Sequence, residues 1–372
     1  MRTLVTLLVL PLLLSGGFGN QPTPSSWTLG PFQRARPAAP VIVPDPSSIF
    51  FEPIRRRPVH WEALHTFNPA AVVRNGKIYL LYRAEDNTGV MAIGGHTSRL
   101  GLAISTDGIH FTRNPSPVFF PANDAQKSRE WPGGTEDPRI VEGPNGLYVL
   151  TYTQWNRKIF RVGIATSTDL LHWTKHGPAF AGASGGKYDN IRYKSAGIVT
   201  RLSNGKLVAA KMHGKYWMYW GENRIRLATS TDLIHWIPLE DARGRPIVAL
   251  SRRLSRFDSA FPEVGPPPLL TSKGILLIYN GKNDAKHGDP SIKPGTYSTG
   301  QALFSADDPA KLLARTSKPF LQPEMPYEKT GQYAAGTTFA EGLVFYKGRW
   351  FLYYGCADST VGVVATASTT HR

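Results

Sequence analysis

The stretch VGIATSTDLLHWT (residues 162–174) decides how the chain folds, because close copies of it occur on either side. LGLAISTDGIHFT (residues 100–112) precedes it, and IRLATSTDLIHWI (residues 225–237) follows it. Two weaker copies, QALFSADDPAKLL and VGVVATAS, begin at Gln301 and Val361. Corresponding positions in the five copies lie 61 to 75 residues apart, which indicates five copies of one structural unit.

Each copy follows a predicted β-hairpin, marked by a turn between two apolar runs. The turns begin at Asn75 (NGKIYLLYR), Asn145 (NGLYVLTYT), Asn204 (NGKLVAAKM), Lys273 (KGILLIYNG) and Lys347 (KGRWFLYYG). Asn-Gly favours a tight hairpin because both turn positions adopt a positive φ. Each unit therefore reads as strands A and B, a longer loop, strand C with the repeated phrase, and strand D. Five such units with almost no helix predict an all-β, five-bladed β-propeller.

The repeated Ser-Thr-Asp group is predicted to be structural. Its side chains suit a turn in which they bind nearby backbone groups, and the aromatic residue that follows suits packing between blades. A motif present in blade after blade cannot mark one catalytic centre. We therefore assign a structural role to the following residues: Asp107, Asp169, Asp232, His172, His235, Trp173 and Trp236.

The N-terminal region predicts export. Residues 1–20 contain one arginine, an apolar run and small residues, which is typical of a signal peptide and too short to span a bilayer. Residues 21–45 are rich in Pro and Ser and predict a linker or a strap on the surface. Residues 46–372 are the predicted catalytic propeller. The mature protein is expected to be secreted or periplasmic, without a membrane span.

Composition argues against several function classes. The net charge is +16, but the basic residues are scattered, with one tight cluster at residues 55–57. This favours solubility or affinity for an anionic envelope over a nucleic-acid partner. The sequence has no metal-ligand spacing and no phosphate-binding loop, so no metal and no cofactor is expected. The single cysteine, Cys356, excludes an internal disulfide and is expected to be buried and inert.

Catalytic and ligand-binding residues are expected at positions where the five repeats differ from one another. In a propeller, strand A lines the central channel, and its start lies on the same face as the B–C loop, so residues from both converge on one pocket. Candidates from these positions are Asn68, Arg83, Glu85, Glu136, Asp137, Arg139, Glu222, Glu263, Asn283, Asp284, Glu341 and Asp358, with the aromatics Trp217, Tyr219 and Trp220. Carboxylates, amides and aromatic rings suit a neutral polyhydroxylated ligand, and two carboxylates suit glycosidic cleavage. The alternative is a set of structural ion pairs, such as Glu136 with Arg139.

These residues resemble glycoside hydrolase family 130, which contains β-mannoside phosphorylases and β-mannosidases. The resemblance begins near residue 59 and includes the motifs FNPAAV, GLAISTDGIHF, GTEDPRI, EVGPPPLL and FLYYGCADSTVGVVAT in order. It implies an inverting mechanism on a β-mannoside oligosaccharide or glycan, with Asp137 as the general acid. It also implies mannose binding by Asn68, Arg83 and Asp358. Arg99 and Arg139 are further candidate substrate-binding residues.

The family has two branches. Phosphorylases bind phosphate through basic residues that include a histidine, whereas hydrolases carry two glutamates in that region to activate water. Glu222 and Glu263 match the hydrolase pair, and two carboxylates repel a phosphate anion. The expected function is an exported inverting β-mannosidase, with β-1,2-mannosides as the candidate substrate. Three alternatives stay open: a phosphorylase that releases mannose 1-phosphate, a furanosidase or arabinanase propeller, and a non-catalytic sugar-binding propeller.

An inverting mechanism adds two expectations about geometry and charge. The acid and base carboxyl groups should stand roughly 6.5–9.5 Å apart, which leaves room for a water molecule beneath the sugar. Asp137 should have a raised pKa, because a general acid must hold its proton near neutral pH.

Overall fold

The computed structural model describes residues 27–368. The predicted signal peptide, residues 1–20, lies outside the described residues. Within residues 27–368, no helix is long and apolar enough to cross a membrane. The helical segments are short: α1 (Lys127–Glu130) and two 3-10 turns, Ala183–Gly186 and Pro326–Glu328.

The remaining regular structure is β-strand, and most strands belong to five antiparallel blades. Three short strands, β1 (Gln33–Arg34), β2 (Phe50–Glu52) and β3 (Arg57–Val59), precede the first blade. Blades 1 and 2 follow the predicted A-B-C-D order. Their strands are β4 (His65–Arg74), β5 (Lys77–Glu85), β6 (Ser98–Ser105) and β7 (Thr112–Arg113), then β8 (Gly134–Glu142), β9 (Tyr148–Trp155), β10 (Phe160–Ser167) and β11 (Thr174–Pro178).

Blades 3 to 5 continue the pattern with local departures. Their strands, in chain order, are β12 (Ala196–Ile198), β13 (Thr200–Ser203), β14 (Lys206–Ala209), β15 (Lys211–Met212), β16 (Lys215–Trp220), β17 (Arg224–Ser230), β18 (Ile237–Pro238), β19 (Val248–Ser251), β20 (Phe261–Val264), β21 (Leu269–Thr271), β22 (Gly274–Lys282), β23 (Tyr297–Phe304), β24 (Leu312–Arg315), β25 (Thr338–Tyr346), β26 (Arg349–Cys356) and β27 (Thr360–Ala365). Blade 3 has the order β12-β16-β17-β18. In blade 4, β20 and β21 share the role of strand A against β22.

The blades close into a ring through side-chain packing. Among residues 27–368, buried apolar side chains form five clusters, and each cluster joins consecutive blades. One of them joins the last blade to the first, with Ile78 of β5 and Tyr353 of β26 as members. Apolar burial of this kind is the dominant favourable term in folding. The predicted five-bladed β-propeller is thus confirmed.

The N-terminal segment completes the ring. β1 pairs with β27 in antiparallel orientation, with Gln33 opposite Ala365, and so supplies the outer strand of blade 5. Arg34 adds an ion pair to Glu328, with Nε 2.8 Å from Oε1. Residues 21–45 were predicted to be a linker or strap, and residues 33–34 instead form part of the propeller. The physical reason is that β27 would otherwise present an unpaired strand edge.

Blade 3 departs from the prediction in its B–C region. The segment predicted as a loop contains β16, which pairs with β12 on one side and β17 on the other. His213 and Gly214 both have a positive φ (52° and 77°), so they form a second tight turn that sends the chain back. Trp217, Tyr219 and Trp220, which were predicted for the pocket, therefore lie on a strand, and Tyr219 and Trp220 are core residues.

The repeated phrase has the predicted structural role. In its central copy, Asp169 Oδ1 accepts hydrogen bonds from the backbone amides of Leu171 and His172, each at 2.8 Å. The same arrangement recurs at Asp107 and Asp232. Trp236 packs in the cluster between blades 2 and 3. Each phrase thus fixes a turn and helps to anchor one blade to its neighbour.

Candidate active site

One cavity contains most of the predicted site residues. Its volume is about 310 Å³, at the lower end of the usual range for small-ligand sites. The lining residues are Asn68, Arg83, Ile93, Gly94, Glu136, Asp137, Thr153, Trp155, Phe160, Lys194, Glu222, Glu263, Tyr297, Tyr333, Thr337, Phe339 and Asp358. They come from all five blades, so the structure brings together residues that are far apart in the chain.

Irregular backbone directs several of these side chains. Asn68 and Asp137 interrupt the register of β4 and β8, and their φ angles are 45° and 47°. Asp358, between β26 and β27, also has a positive φ of 51°. Bulges re-aim side chains, and strained backbone of this kind concentrates at functional sites. The local conformation therefore supports the assignment of these three residues to a site.

Arg83 organises one wall of the cavity. Its guanidinium binds Asp137 Oδ1 at 3.0 Å, Glu136 Oε1 at 2.9 Å and Glu85 Oε1 at 2.6 Å. Asn68 Nδ2 donates a second hydrogen bond to Asp137 Oδ1 at 2.8 Å. All of these side chains are buried. One cation thus holds three carboxylates in fixed positions.

The charge balance differs between the two neighbouring carboxyl groups. Burial raises the pKa of Asp137, but the charges of Arg83 and Lys194 and the Asn68 hydrogen bond outweigh it, so the pKa is lowered to about 2. Burial and the charge of Asp137 raise the pKa of Glu136 to about 7 against the opposing charge of Arg83. The expectation of a raised pKa for Asp137 is thus wrong for the free protein. Its cation and amide neighbours stabilise the ionised form.

A third carboxyl group in the cavity also has a raised pKa. Burial, with the charges of Asp137 and Glu85, raises the pKa of Asp358 to about 7, although Arg83 opposes this shift. With pKa values of about 7, Glu136 and Asp358 are each partly protonated near neutral pH.

The two predicted glutamates, Glu222 and Glu263, also line the cavity. A backbone bridge pairs Glu222 with Glu263, so the loop between β16 and β17 lies directly beside β20. Ser195 Oγ donates a hydrogen bond to Glu263 Oε1 at 2.5 Å. The second oxygen, Oε2, is buried and has no hydrogen-bond partner among residues 27–368. A buried acceptor without a partner marks a place for a water molecule or a ligand hydroxyl.

A lysine lies between the glutamates. Lys194 Nζ is 3.4 Å from Glu263 Oε1 and 3.6 Å from Glu222 Oε2. Burial alone would lower the pKa of Lys194, but the charges of Glu263, Glu222 and Asp137 raise it well above its ordinary value. Burial and the charge of Glu263 raise the pKa of Glu222, whereas Lys194 opposes that shift. The Lys194 ammonium group therefore favours the ionised form of Glu222.

Aromatic rings complete the cavity. Tyr297 packs against Tyr333 and Phe339, with centroid distances of 5.3 and 5.7 Å. Trp155 and Phe160 form a second pair at 6.1 Å. Rings provide apolar contact area for one face of a ligand, and the tyrosine hydroxyls add polar contacts. This mixture of rings and carboxylates suits a sugar.

Comparison with known proteins agrees with this geometry. A family model described as beta-1,4-mannooligosaccharide phosphorylase, that of glycoside hydrolase family 130, matches residues 34–370. The chain belongs to glycoside hydrolase family 130. Enzymes of family 130 act on β-mannosides.

Several relatives match most of the chain. A 1,2-beta-oligomannan phosphorylase from Thermoanaerobacter sp. (strain X514) is 32% identical, covering 82% of this chain and 90% of its own. A glycosyl hydrolase structure from Bacteroides ovatus is 51% identical, with a TM-score of 0.90 and coverage of 92% and 95%. A third structure was reported with family 130 glycoside hydrolases that target β-1,2 mannosidic linkages in Candida mannan. It is 51% identical, with a TM-score of 0.91 and coverage of 94% and 98%.

Two predicted substrate-binding residues of this family 130 protein do not line the cavity. Arg99 is buried behind it and binds Asp86 Oδ2 at 2.7 Å. Arg139 pairs with Glu341 at 2.8 Å, not with Glu136 as the structural alternative proposed. It also donates to the backbone carbonyl oxygens of Asp137, Val264 and Gly265. Arg139 therefore joins three blades at the channel, and both arginines are occupied by protein groups.

Four further candidates also lie outside the cavity lining: Glu85, Asn283, Asp284 and Glu341.

Sequence reasoning missed several residues of the site. Lys194 and Ser195 stand in RYKSAGIV, the segment that opens strand A of blade 3, and this position was the available signal for both. Trp155 and Phe160 flank the β9–β10 loop, which corresponds to the B–C loop of blade 2. Tyr297 likewise ends the B–C loop of blade 4, at the start of β23. Tyr333 had no local signal, because it lies in the long connection between β24 and β25. Among the described residues, no cluster of His, Cys, Asp and Glu could hold a metal ion.

Proposed function

We propose that this protein is an exported inverting β-mannosidase that cleaves β-1,2-linked mannosides. Asp137 is the general acid that protonates the leaving oxygen. Glu222 and Glu263 orient and deprotonate the attacking water on the opposite side of the sugar. Asn68, Arg83 and Asp358 bind the terminal mannose. Export rests on the apolar N-terminal segment of the sequence.

The pair of glutamates carries the proposal. The backbone bridge between Glu222 and Glu263 fixes both carboxylates on one wall. The free Oε2 of Glu263 offers an acceptor for one proton of a water molecule. Lys194 stabilises the ionised form of Glu222, and a general base must be ionised to act. Asp137 lines the same cavity, so the candidate acid and base share one space.

The charge of the cavity disfavours phosphate as the attacking group. Five carboxyl groups line it, Glu136, Asp137, Glu222, Glu263 and Asp358, against two cations. Arg83 already binds three carboxylates and Lys194 lies between two. A phosphate anion would find no uncommitted cation in this lining and would be repelled by the carboxylates.

The acidic proton is shared by a pair of groups. Glu136 and Asp137 both contact Arg83, and two coupled carboxyl groups titrate as a unit. The unit keeps one proton up to about pH 7, the pKa of Glu136. We infer that Asp137 delivers this proton to the glycosidic oxygen and that Glu136 stores it in the free enzyme.

The relatives support the hydrolase branch, although a phosphorylase is the second candidate. Structures described as glycosidases or hydrolases are about half identical to this chain, at 49–53%. The matched curated phosphorylases are 26–32% identical. The phosphorylase alternative is favoured by the description of the family model and by the names of those relatives.

One assay tests the function directly. The mature protein is incubated with β-1,2-mannobiose, with and without inorganic phosphate, and the products are identified by chromatography and NMR. The expected product is free mannose in both reactions, with inversion at the anomeric carbon. Mannose 1-phosphate formed only with phosphate would establish the phosphorylase instead. Mass spectrometry of protein from the culture medium or periplasm, showing loss of about the first 20 residues, would test export.

A further inference from the structure

A second recess lies on the outer side of the loops that carry the two glutamates. Its volume is about 570 Å³. It is lined by Asn223, Arg224, Arg226, Val248, Ser251, Arg252 and Ala260. Asn223 directly follows Glu222, and Ala260 directly precedes β20, which carries Glu263. The recess therefore adjoins the catalytic cavity, although the two share no lining residue.

Sheet register gathers the arginines of the recess. β17 pairs with β19, with Arg224 opposite Ser251 and Arg226 opposite Val248. Residues directly opposite each other in an antiparallel pair present their side chains on one face. Arg252 follows Ser251 and completes the group. Three arginines and a serine thus line one concave space.

Arg226 is held in a fixed position. Its guanidinium lies 5.2 Å from the centre of the Trp220 ring, and its Nη1 donates to the Arg224 carbonyl oxygen at 2.9 Å. Burial and the nearby charge of Arg224 lower the pKa of Arg226, so the cations repel one another. An anion bound beside Arg224 and Arg226 would oppose this repulsion.

The recess leaves its positive charge uncompensated. Among residues 27–368, Arg224, Arg226 and Arg252 form no salt bridge with a carboxylate, and no acidic residue lines the recess. Two other arginines of the same region are paired with carboxylates. Arg245 binds Asp241 at 2.7 Å, and Arg253 binds Asp258 at 2.8 Å. The absence of a protein partner in the recess points to an anionic ligand.

We propose that this recess is a subsite for a phosphate-type oxyanion, carried by the glycan substrate at a position remote from the scissile bond. Arginine side chains donate without accepting and match the oxygens of phosphate in bidentate geometry. Asn223 and Ser251 add neutral donors. The proposal rests on the proposed β-mannosidase function, and it defines an acidic, phosphate-substituted β-mannoside as the preferred substrate class. A free inorganic anion has the same chemistry, and the experiments separate the two sources.

The first experiment measures anion binding by the full chain. Inorganic phosphate is titrated into the wild type and into the double variant R224Q/R252Q by isothermal calorimetry. The matched control, R201Q/R243Q, removes two exposed arginine charges outside the recess. Loss of two charged hydrogen-bonding groups should weaken phosphate binding at least tenfold in the double variant and not in the control. Unchanged phosphate affinity in R224Q/R252Q, or no binding by the wild type, overturns the proposal.

The second experiment identifies the source of the anion. kcat/KM is measured for a phosphate-bearing β-1,2-mannooligosaccharide and for its neutral counterpart. The wild type should prefer the phosphorylated substrate at least tenfold. R224Q/R252Q should lose that preference and keep the wild-type kcat/KM on the neutral substrate. If kcat/KM is equal for both substrates while the recess still binds inorganic phosphate, the anion is not carried by the substrate. The recess is then a site for a free anion.

The two proposals can fail separately. If neither glycan is cleaved while R224Q/R252Q alone loses phosphate binding, the mannosidase function is wrong and the anion site remains. Thermal unfolding of each variant verifies that the fold is retained. The substituted arginines Arg224 and Arg252 are exposed, so these changes leave the core intact.

Discussion

Asn68 and Asp137 lie 69 residues apart in the chain, and Asn68 Nδ2 donates a hydrogen bond of 2.8 Å to Asp137 Oδ1. Each residue occupies a bulge in the first strand of its blade, and each has a left-handed φ. Asn68 Oδ1 is buried without a hydrogen-bond partner among residues 27–368. The pair therefore orients the predicted acid and leaves one acceptor for a sugar hydroxyl.

Replacing Asp137 by Asn should abolish most turnover and spare binding. The amide cannot donate an acidic proton, and loss of a general acid costs about 10²–10⁴-fold in rate. The measurement is kcat on unactivated β-1,2-mannobiose, with substrate binding by calorimetry. The matched control is Asp169→Asn in the repeated turn, which should keep wild-type kcat. Near-wild-type activity of Asp137→Asn would show that another group is the acid.

Replacing the two glutamates should have cumulative effects. Glu222→Gln and Glu263→Gln should each lose most of the activity. Some activity should remain in each single variant, because the other carboxylate can still orient water. The double variant should be essentially inactive, since no base remains on that wall. Initial rates of mannose release check this prediction. A double variant that keeps near-wild-type activity would remove both residues from the mechanism.

Lys194→Met should shift the acidic limb of the kcat/KM profile to higher pH. The Lys194 ammonium lowers the pKa of Glu222, and a base must be ionised to act. Without that charge, Glu222 stays protonated to a higher pH. Lys194→Arg keeps the charge and should restore much of the wild-type profile. A parallel loss of rate at every pH would indicate a merely structural lysine.

The alkaline limb of the same profile should fall near pH 7. The pKa of Glu136 is raised to about 7, so the shared proton is present below that pH and lost above it. Glu136→Gln removes the carboxyl group that holds the proton in the free enzyme. The alkaline limb of the kcat/KM profile should then move to lower pH, because the pKa of Asp137 is low. A limb that remains near pH 7 in Glu136→Gln would assign it to Asp358 instead.

Arg139→Met should act on stability more than on substrate affinity. The substitution leaves Glu341 buried without its partner, and breaking a buried ion pair in this way costs about 3–5 kcal/mol. Denaturant unfolding measures the loss, with Arg201→Met at an exposed site as the control. A raised KM with unchanged stability would restore the substrate-binding role predicted from the sequence.

The fold could be predicted from the sequence alone because local repeats specify it. Five copies of the phrase around Asp169, each after a hairpin, specify five blades through turn chemistry and alternation of apolar residues. The same topology placed Asn68, Asp137, Glu263 and Asp358 at one end of the channel. Their convergence on one cavity follows from where each strand begins or ends.

Tertiary structure decided the properties that depend on neighbours from other blades. Arg99 and Arg139 resemble ligand-binding arginines in sequence, but both are occupied by buried protein groups. Lys194 belongs to the site because its ammonium group contacts Glu222 and Glu263, which lie 28 and 69 residues further along the chain. The pKa of Asp137 is low because Arg83 and Asn68 reach it across the blade boundary. Local sequence patterns determine strands and turns, whereas charge pairing and burial are set by contacts between residues distant in the chain.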